Sequence, residues 1–206
     1  GLKESLEQWV LRRTKEFNKE TRSSPEVEDL WMDFADFQDE AVRIMHGDSV
    51  LPSSSQAVMQ MITEKRAAVV EGGIRHNPSS VRLRLEHLRL MGQLKEHKDV
   101  DKMWRRAIDK CDQSCMLWMG YLHFKRGHFD SFSVPDQRDL YSEGLHALQH
   151  TRKQRKADKI KQDRDKGVFV VGKSMLRGRS NREDYASEAD MLKLLWDYCM
   201  MEVAAG

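Results

Sequence analysis

The feature that most constrains this chain is a short pattern that it writes more than once. Leu117–Phe124 reads LWMGYLHF, Leu30–Phe37 reads LWMDFADF, and Leu83–Leu90 reads LRLEHLRL. In register, Leu117, Trp118, Tyr121 and Phe124 fall on Leu30, Trp31, Phe34 and Phe37, and the middle copy answers with Leu83, Arg84, His87 and Leu90. Each copy stands at one distance from a helix-breaking lead-in. Pro25 is six residues before Trp31, Pro78 six before Arg84, and Asp112 six before Trp118. A self-similar unit at fixed offset decides the fold before any other signal can.

Within the unit the apolar spacing is i, i+3, i+4, which puts those side chains on one face of a helix. A second pattern closes each unit: Trp104-x-x-Ala107-Ile108 before Asp112, Val70-x-x-Gly73-Ile74 before Pro78, and Tyr141-x-x-Gly144-Leu145 further on. Each has a large residue, a small one three places later, then an aliphatic. Small residues at a repeated position let two helix backbones approach closely. The unit is therefore a helical hairpin, with the aromatics on helix A and the large-small-aliphatic triplet on helix B. The expected architecture is all-α, an α-solenoid of such hairpins occupying 1–206 as one repeat domain. Its repeat core comprises Trp31, Phe34, Phe37, Leu83, His87, Trp104, Ile108, Trp118, Tyr121 and Phe124.

In chain order, Leu2–Arg22 is expected to be an unpaired helix B with Leu6, Trp9, Val10, Arg13 and Phe17 on one face. Phe17 and Thr21 precede Pro25 by the same distances that Val70 and Ile74 precede Pro78. Glu26–Ile44 is helix A of the first unit, His46–Ser55 a turn-rich loop, and Gln56–Arg75 helix B, burying Met59, Ile62, Val69 and Val70. Ser79–Gly92 and Glu96–Cys111 form the second unit. Ser114–Arg126 and a helix from Pro135 form the third, with proline and then Asp136 in the first turn. From Arg152 to Asp165 nearly every residue is charged or Gln, either a solvated continuation of that helix or a disordered loop. GVFVVG at Gly167–Gly172 is a short β-prone run. Asp184–Val203 regains helical periodicity through Met191, Leu194, Leu195, Tyr198 and Met201 as helix A of a fourth unit.

The spacing of the units fits. Arg84 to Trp118 is 34 residues, the length of a two-helix repeat of the tetratricopeptide class. Trp31 to Arg84 exceeds that by 19 and Trp118 to Leu195 by 43, and both excesses fall between elements.

Charge is unevenly distributed. Arg152–Arg182 holds twelve Lys or Arg against three Asp, so a formal charge of +2 conceals an acidic remainder. Within this basic insert, 152–182, Arg152, Lys153, Arg155, Lys156, Lys159 and Lys161 are the candidate contacts to a partner or to RNA. Only Phe169 and Tyr185 lie in or near it, too few for a base-stacking platform, so any RNA contact would be phosphate-led and sequence-tolerant. Charged residues make up 33% of the chain and prolines number four, which favours helices with wet faces. No run approaches a membrane span and no signal-peptide pattern opens the chain. Three cysteines are too few for a disulfide framework, pointing to a reducing compartment. The start at Gly1-Leu2 and the stop after Ala204-Ala205 read as a piece of a longer protein. The final helix, with Met191, Leu194, Leu195, Met200 and Met201, looks too apolar for a solenoid cap and should pack on a further repeat or a partner.

The Leu-Trp-x-x-Tyr-Leu-x-Phe pattern at 117–124, with the triplet at 104–108, resembles half-a-tetratricopeptide (HAT) repeats, which occur in scaffold proteins of nuclear RNA processing. EFNKETRSSPEVEDLWMDFADFQDE at Glu16–Glu40 and EGGIRHNPSSVRLRLEHLRLMG at Glu71–Gly92 resemble the start of the repeat array in the nuclear-RNAi-defective (NRDE) family. The similarity runs from about Leu6 to His150, and the basic insert departs from it. The resemblance implies a nuclear, non-enzymatic adaptor around splicing, RNA interference and RNA surveillance. It also implies that the RNA helicase feeding the exosome is engaged ahead of the repeats, which leaves these helices for other nuclear protein partners.

Sites for chemistry are scarce. Cys111, Cys115, His123 and His128 read C-x3-C-x7-H-x4-H, whose middle spacer is too short for a zinc finger, so no metal is expected. No phosphate loop, dinucleotide fingerprint or nucleophile elbow is present. The expectation is therefore a protein-binding scaffold without cofactor, small-molecule substrate or membrane contact, with direct RNA binding through the basic insert as the alternative.

Overall fold

The computed structural model describes residues 4–46, 52–111, 114–165 and 188–205 of the 206-residue chain. These residues form eight helices and no strand: α1 Leu6–Ser23, α2 Glu28–His46, α3 Pro52–His76, α4 Val81–Leu94, α5 His97–Lys110, α6 Cys115–Arg126, α7 Val134–Asp165 and α8 Glu188–Ala205. Two compact units divide the chain, Gly1–Trp104 and Arg105–Gly206. In the first, α1 packs on α2, α2 on α3 and α3 on α4. In the second, α6 packs on α7 and α8 on both. Sequence neighbours packing in a row make this an α-solenoid of helical repeats.

The helix starts are set by side-chain caps. Ser5 and Gln8 form a capping box that opens α1 at Leu6, four residues later than expected. Ser80 and Ser114 accept from the backbone N–H of Leu83 and Leu117, which places two helices A in the same register. Ser133 and Asp136 bond reciprocally, so α7 starts at Val134 and the Asp136 carboxyl is held below its usual range by the Ser133 hydroxyl and N–H. Helix α3 begins at Pro52, inside what the turn-rich composition suggested was loop.

In the first unit, α1 acts as the unpaired helix B. Phe17 stacks on Phe34 at 5.1 Å and tilts against Phe37 at 5.2 Å, while Trp9 meets Phe37 edge-on at 5.7 Å. Thr21 is buried, its hydroxyl donating back to the Phe17 carbonyl at 2.8 Å. Behind α2, Trp31 and Ala35 pack against Ala67 and Val70 of α3 and Leu83, Leu90 and Met91 of α4. Buried apolar surface of this kind is the main stabilising term, about 25 cal/mol per Å².

The six-residue offset from the lead-in has a physical cause. The Trp31 indole N–H donates to the Pro25 carbonyl at 2.9 Å, and the Arg84 guanidinium donates to the Pro78 carbonyl. Trp and Arg are interchangeable here because both are long side chains ending in an N–H donor. The reach from helix position to lead-in carbonyl fixes the spacing. Asn77 at the end of α3 adds a second bond to the Pro25 carbonyl at 2.8 Å, tying the close of one hairpin to its opening.

The small residue of the triplet also acquires a more specific role than backbone approach. A methyl group on Gly73 would stand 2.9 Å from Trp31 Cγ, and one on Gly144 would stand 3.0 Å from Trp118 Cε3. In both hairpins the helix A tryptophan lies across the backbone of helix B, and glycine makes the room.

Several expectations shift. Met59 is 48% exposed and Leu6 points largely outward. His87 and Phe124 are half-buried, and burial lowers the His87 pKa below its ordinary value. Leu195 is exposed although it shares the periodicity of buried Leu194 and Met201. Helix α7 runs on through the charged stretch to Asp165, while Gly167–Gly172 lies outside the described residues. No described helix is long and apolar enough to cross a membrane.

Candidate protein-interaction surfaces

Three surfaces stand out in the second unit. The first is an open groove of about 690 Å³ lined by Ile108 and Asp109 of α5, Trp118 of α6, and Asp139, Ser142, Glu143 and His146 of α7. Trp118 closes its floor and is 1% exposed, held by Gly144 as described above. On the rim Glu143 is taken by Arg105, with N–O distances of 2.7 and 2.6 Å, and Arg105 also lies over the Tyr121 ring at 5.5 Å. Asp109 and Asp139 are exposed, so the groove pairs an apolar floor with a rim carrying negative charge.

The second surface belongs to α8, whose two sides differ sharply. Its inner side carries Leu194 and Met201, both fully buried, and Tyr198, whose ring lies 5.1 Å from that of Tyr141. Asp197 is buried on the same side. It accepts from the Tyr141 hydroxyl at 2.5 Å and from the Arg126 guanidinium, and His123 Nε2 stands 3.5 Å away. Burial and the bond to Asp197 push the Tyr141 pKa up. Arg138 holds Glu202 through two bonds of 2.6 Å, which with the Tyr198 hydroxyl draws the Glu202 carboxyl down to about 2. The outer side presents Leu192, Leu195, Trp196, Met200 and Val203, with exposures from 41% to 76%. Cys199 is exposed among them.

The third surface is the charged end of α7. Arg152, Arg155, Lys156 and Lys159 recur at i, i+3, i+4 and i+7 on this continuous helix, one stripe of its register. Lys153 and Lys161 fall off that stripe, and Lys161 is exposed. The remainder of the basic insert, from residue 166, lies outside the described residues.

Among the described residues no group of three or more His, Cys, Asp or Glu is placed to hold a metal ion. Cys115 is buried, and His128 Nδ1 lies 2.6 Å from the Phe124 carbonyl. The repeat residues Trp31, Phe34, Phe37, Leu83, Trp104, Ile108, Trp118 and Tyr121 are buried, while His87 and Phe124 are half-buried. Asp197 and its partners escaped sequence reasoning. The signal was there, since Asp197 sits three places after Leu194 on the buried stripe, where a carboxylate requires a cation or a hydroxyl.

Fold and surfaces together define an all-α helical-repeat protein of the α-solenoid class. The profile of the family described as "NRDE-2, necessary for RNA interference" matches residues 12–206, and the chain belongs to that family. The chain is 34% identical over 140 residues to a mouse protein named nuclear exosome regulator NRDE2, and 32% over 142 residues to the human protein of that name. In both cases the match covers 66% of this chain and 12% of the relative. A Dictyostelium discoideum protein of the same name is 24% identical over 138 residues, covering 64% of this chain and 10% of the relative. The chain thus spans about an eighth of the length of the mouse and human relatives. No solved structure matches it.

Proposed function

We propose that these helices form a non-catalytic protein-binding scaffold in regulation of the nuclear exosome, acting in the nucleus. Family membership and the names of the mouse, human and Dictyostelium relatives support the process. The observation that carries the binding role is the open groove with Trp118 as its floor and Asp109 and Asp139 on its rim. A basic segment of a partner protein fits it, aliphatic stems on the floor and cationic ends at the rim. The partners in view are nuclear proteins of RNA processing, including those of splicing and RNA interference, other than the exosome helicase.

The test is recovery of exosome-associated proteins on this chain after nuclease treatment, compared with the double variant Asp109→Lys/Asp139→Lys. Both positions are exposed, so folding is retained. Two rim charges contribute roughly 1 kcal/mol each, so recovery should fall by about tenfold or more. Equal recovery by parent and variant would remove the groove from the binding role, and loss of partners on nuclease treatment would replace protein binding by RNA tethering.

A second reading is direct RNA binding, favoured by the continuity of α7 through Arg152–Lys159, which lines up four cations on one stripe. Four phosphate contacts to a single strand give a slope of log K against log salt near −3, at about −0.7 per contact. Exchanging Arg152, Lys153, Arg155, Lys156, Lys159 and Lys161 for Glu should abolish that binding. Unchanged affinity ends this reading.

A further inference from the structure

The groove floored by Trp118 is crossed by an ion pair. Its two walls are α5, with Ile108 and Asp109, and α7, with Asp139, Ser142, Glu143 and His146. Asp139, Glu143 and His146 recur at i, i+4 and i+7, so Glu143 is the middle member of one stripe of α7. Arg105 stands one turn before Asp109 on α5. It reaches Glu143 with a single nitrogen, Nη1, at 2.7 and 2.6 Å from the two carboxylate oxygens. The pairs Arg126–Asp197 and Arg138–Glu202 join helices that pack on one another. Arg105 and Glu143 instead join the two walls of a groove. The place of α7 does not depend on them, because α7 packs on α6 and α8, and Gly144 sets its backbone against Trp118.

We propose, resting on the groove as the binding site of a basic partner segment, that the Arg105–Glu143 pair is an exchangeable strut which an arginine of that segment displaces on binding. Both side chains are substantially exposed, 39% for Arg105 and 49% for Glu143, and ion pairs of this kind contribute little to stability, so opening the strut costs little. Arg105 has a second seat, the Tyr121 ring 5.5 Å from its guanidinium carbon, which remains when Glu143 is taken. One Arg105 nitrogen serves both carboxylate oxygens. An arginine arriving along the groove offers two, the paired geometry that favours guanidinium over ammonium at a carboxylate. In the free protein Arg105 neutralises Glu143 and leaves Asp109 and Asp139 to attract the partner. On exchange the groove gains a further anchor and loses its bar. Arg105 thereby selects for ligands whose cation competes with its own.

The experiment is fluorescence anisotropy on this chain with a labelled decapeptide of alternating arginine and leucine. It is run at physiological ionic strength, where charges out of contact are largely screened. Four forms are compared: the parent, Arg105→Gln, Glu143→Gln and the double variant. The parent must break one ion pair to make another, whereas Arg105→Gln only makes one. Arg105→Gln should therefore bind the peptide up to about fivefold more tightly than the parent. Glu143→Gln loses strut and anchor together, so it should stay within about threefold of the parent, and the double variant should match it. Equal binding by parent and Arg105→Gln, or weaker binding by Arg105→Gln, would overturn the exchange. So would the same gain from Arg105→Gln in the Glu143→Gln background, which would reflect net charge alone. A tenfold loss in Glu143→Gln would overturn it from the other wall, since Glu143 would then be open to ligand in the parent. Asp109→Lys/Asp139→Lys separates the two readings. Full binding by that variant removes the groove and the exchange with it, while lost binding there beside an unchanged Arg105→Gln removes the exchange alone.

Discussion

The same substitution, glycine to alanine, should have opposite signs in two helices of the first unit. In the interior of a helix the change is favourable by about 1 kcal/mol, because alanine removes backbone freedom from the unfolded chain. At Gly92 of α4 nothing lies within 4 Å of the added methyl, so Gly92→Ala should realise much of that gain. At Gly73 of α3 the methyl would stand 2.9 Å from Trp31 Cγ, 3.0 Å from Trp31 Cβ and 3.1 Å from Leu83 Cδ1. The first two atoms are the root of the indole, which no rotation of the ring moves aside. Overpacking of this kind costs about 1–3 kcal/mol, and relief requires α2 to shift against α3. The net expectation for Gly73→Ala is a loss of about 1–2 kcal/mol, against a gain of up to about 1 kcal/mol for Gly92→Ala. For a chain of this length each kcal/mol moves the midpoint by about 2–4 °C, so the two variants should melt apart by several degrees on either side of the parent. Thermal and urea unfolding followed by far-UV circular dichroism would read both. If Gly73→Ala stabilises as Gly92→Ala does, the tryptophan does not lie across that backbone and the account of the repeated glycine is wrong.

Other consequences are open to direct measurement. Trp31→Ala and Trp118→Ala should each cost about 3–5 kcal/mol as large-to-small core changes, whereas Trp31→Phe should cost about 1 kcal/mol beyond lost volume by removing the bond to Pro25. Asp197→Asn should destabilise the second unit by about 2 kcal/mol, seen as faster amide exchange in α8, because Arg126 loses its carboxylate. The Glu202 carboxyl is lowered to about 2 by Arg138, so its contribution is complete above the ordinary value near 4.5 and fades as pH falls through 2. Attachment of the end of α8 should therefore weaken across that window in the parent and show a smaller pH dependence in Arg138→Met, where the Tyr198 hydroxyl alone still favours the carboxylate.

The repeat made most of the fold legible. Once Trp31, Arg84 and Trp118 were seen at one distance from their lead-ins, the all-helical repeat and the order of its helices followed from spacing. Helix ends were less readable because they depend on which polar side chain captures a free N–H. Ser5, Ser80, Ser114 and Ser133 all do so, yet serine occurs throughout the chain and its capping geometry is not encoded in spacing. Met59 misled because a helix bounded by turn-forming residues was read as shorter than it is, and residues 56–60 lie ahead of the buried stripe that begins at Ile62. The Arg152–Asp165 stretch could not be decided by periodicity, since a helix without an apolar face and a loop have the same pattern of charges.

Interaction surfaces are harder to read than cores for a physical reason that α8 makes plain. Periodicity reports which residues share a face, but not whether that face is covered, and Leu194 and Leu195 are chemically alike while one is buried and the other exposed. The distinction comes from the neighbours. Asp197 is fastened by α6 and α7, so the side of α8 that holds it must face inward, and the remaining stripe is left outward by geometry. In α2 the positions of Leu195, Trp196 and Cys199 are Trp31, Met32 and Ala35, which pack in the cluster with α3 and α4, so equivalent places in the repeat differ in what covers them. The groove floored by Trp118 has the same logic. Glycine at 144 admits the ring, the ring closes the floor, and Asp109 and Asp139 from helices on either side set the sign of the charge that a partner must bring.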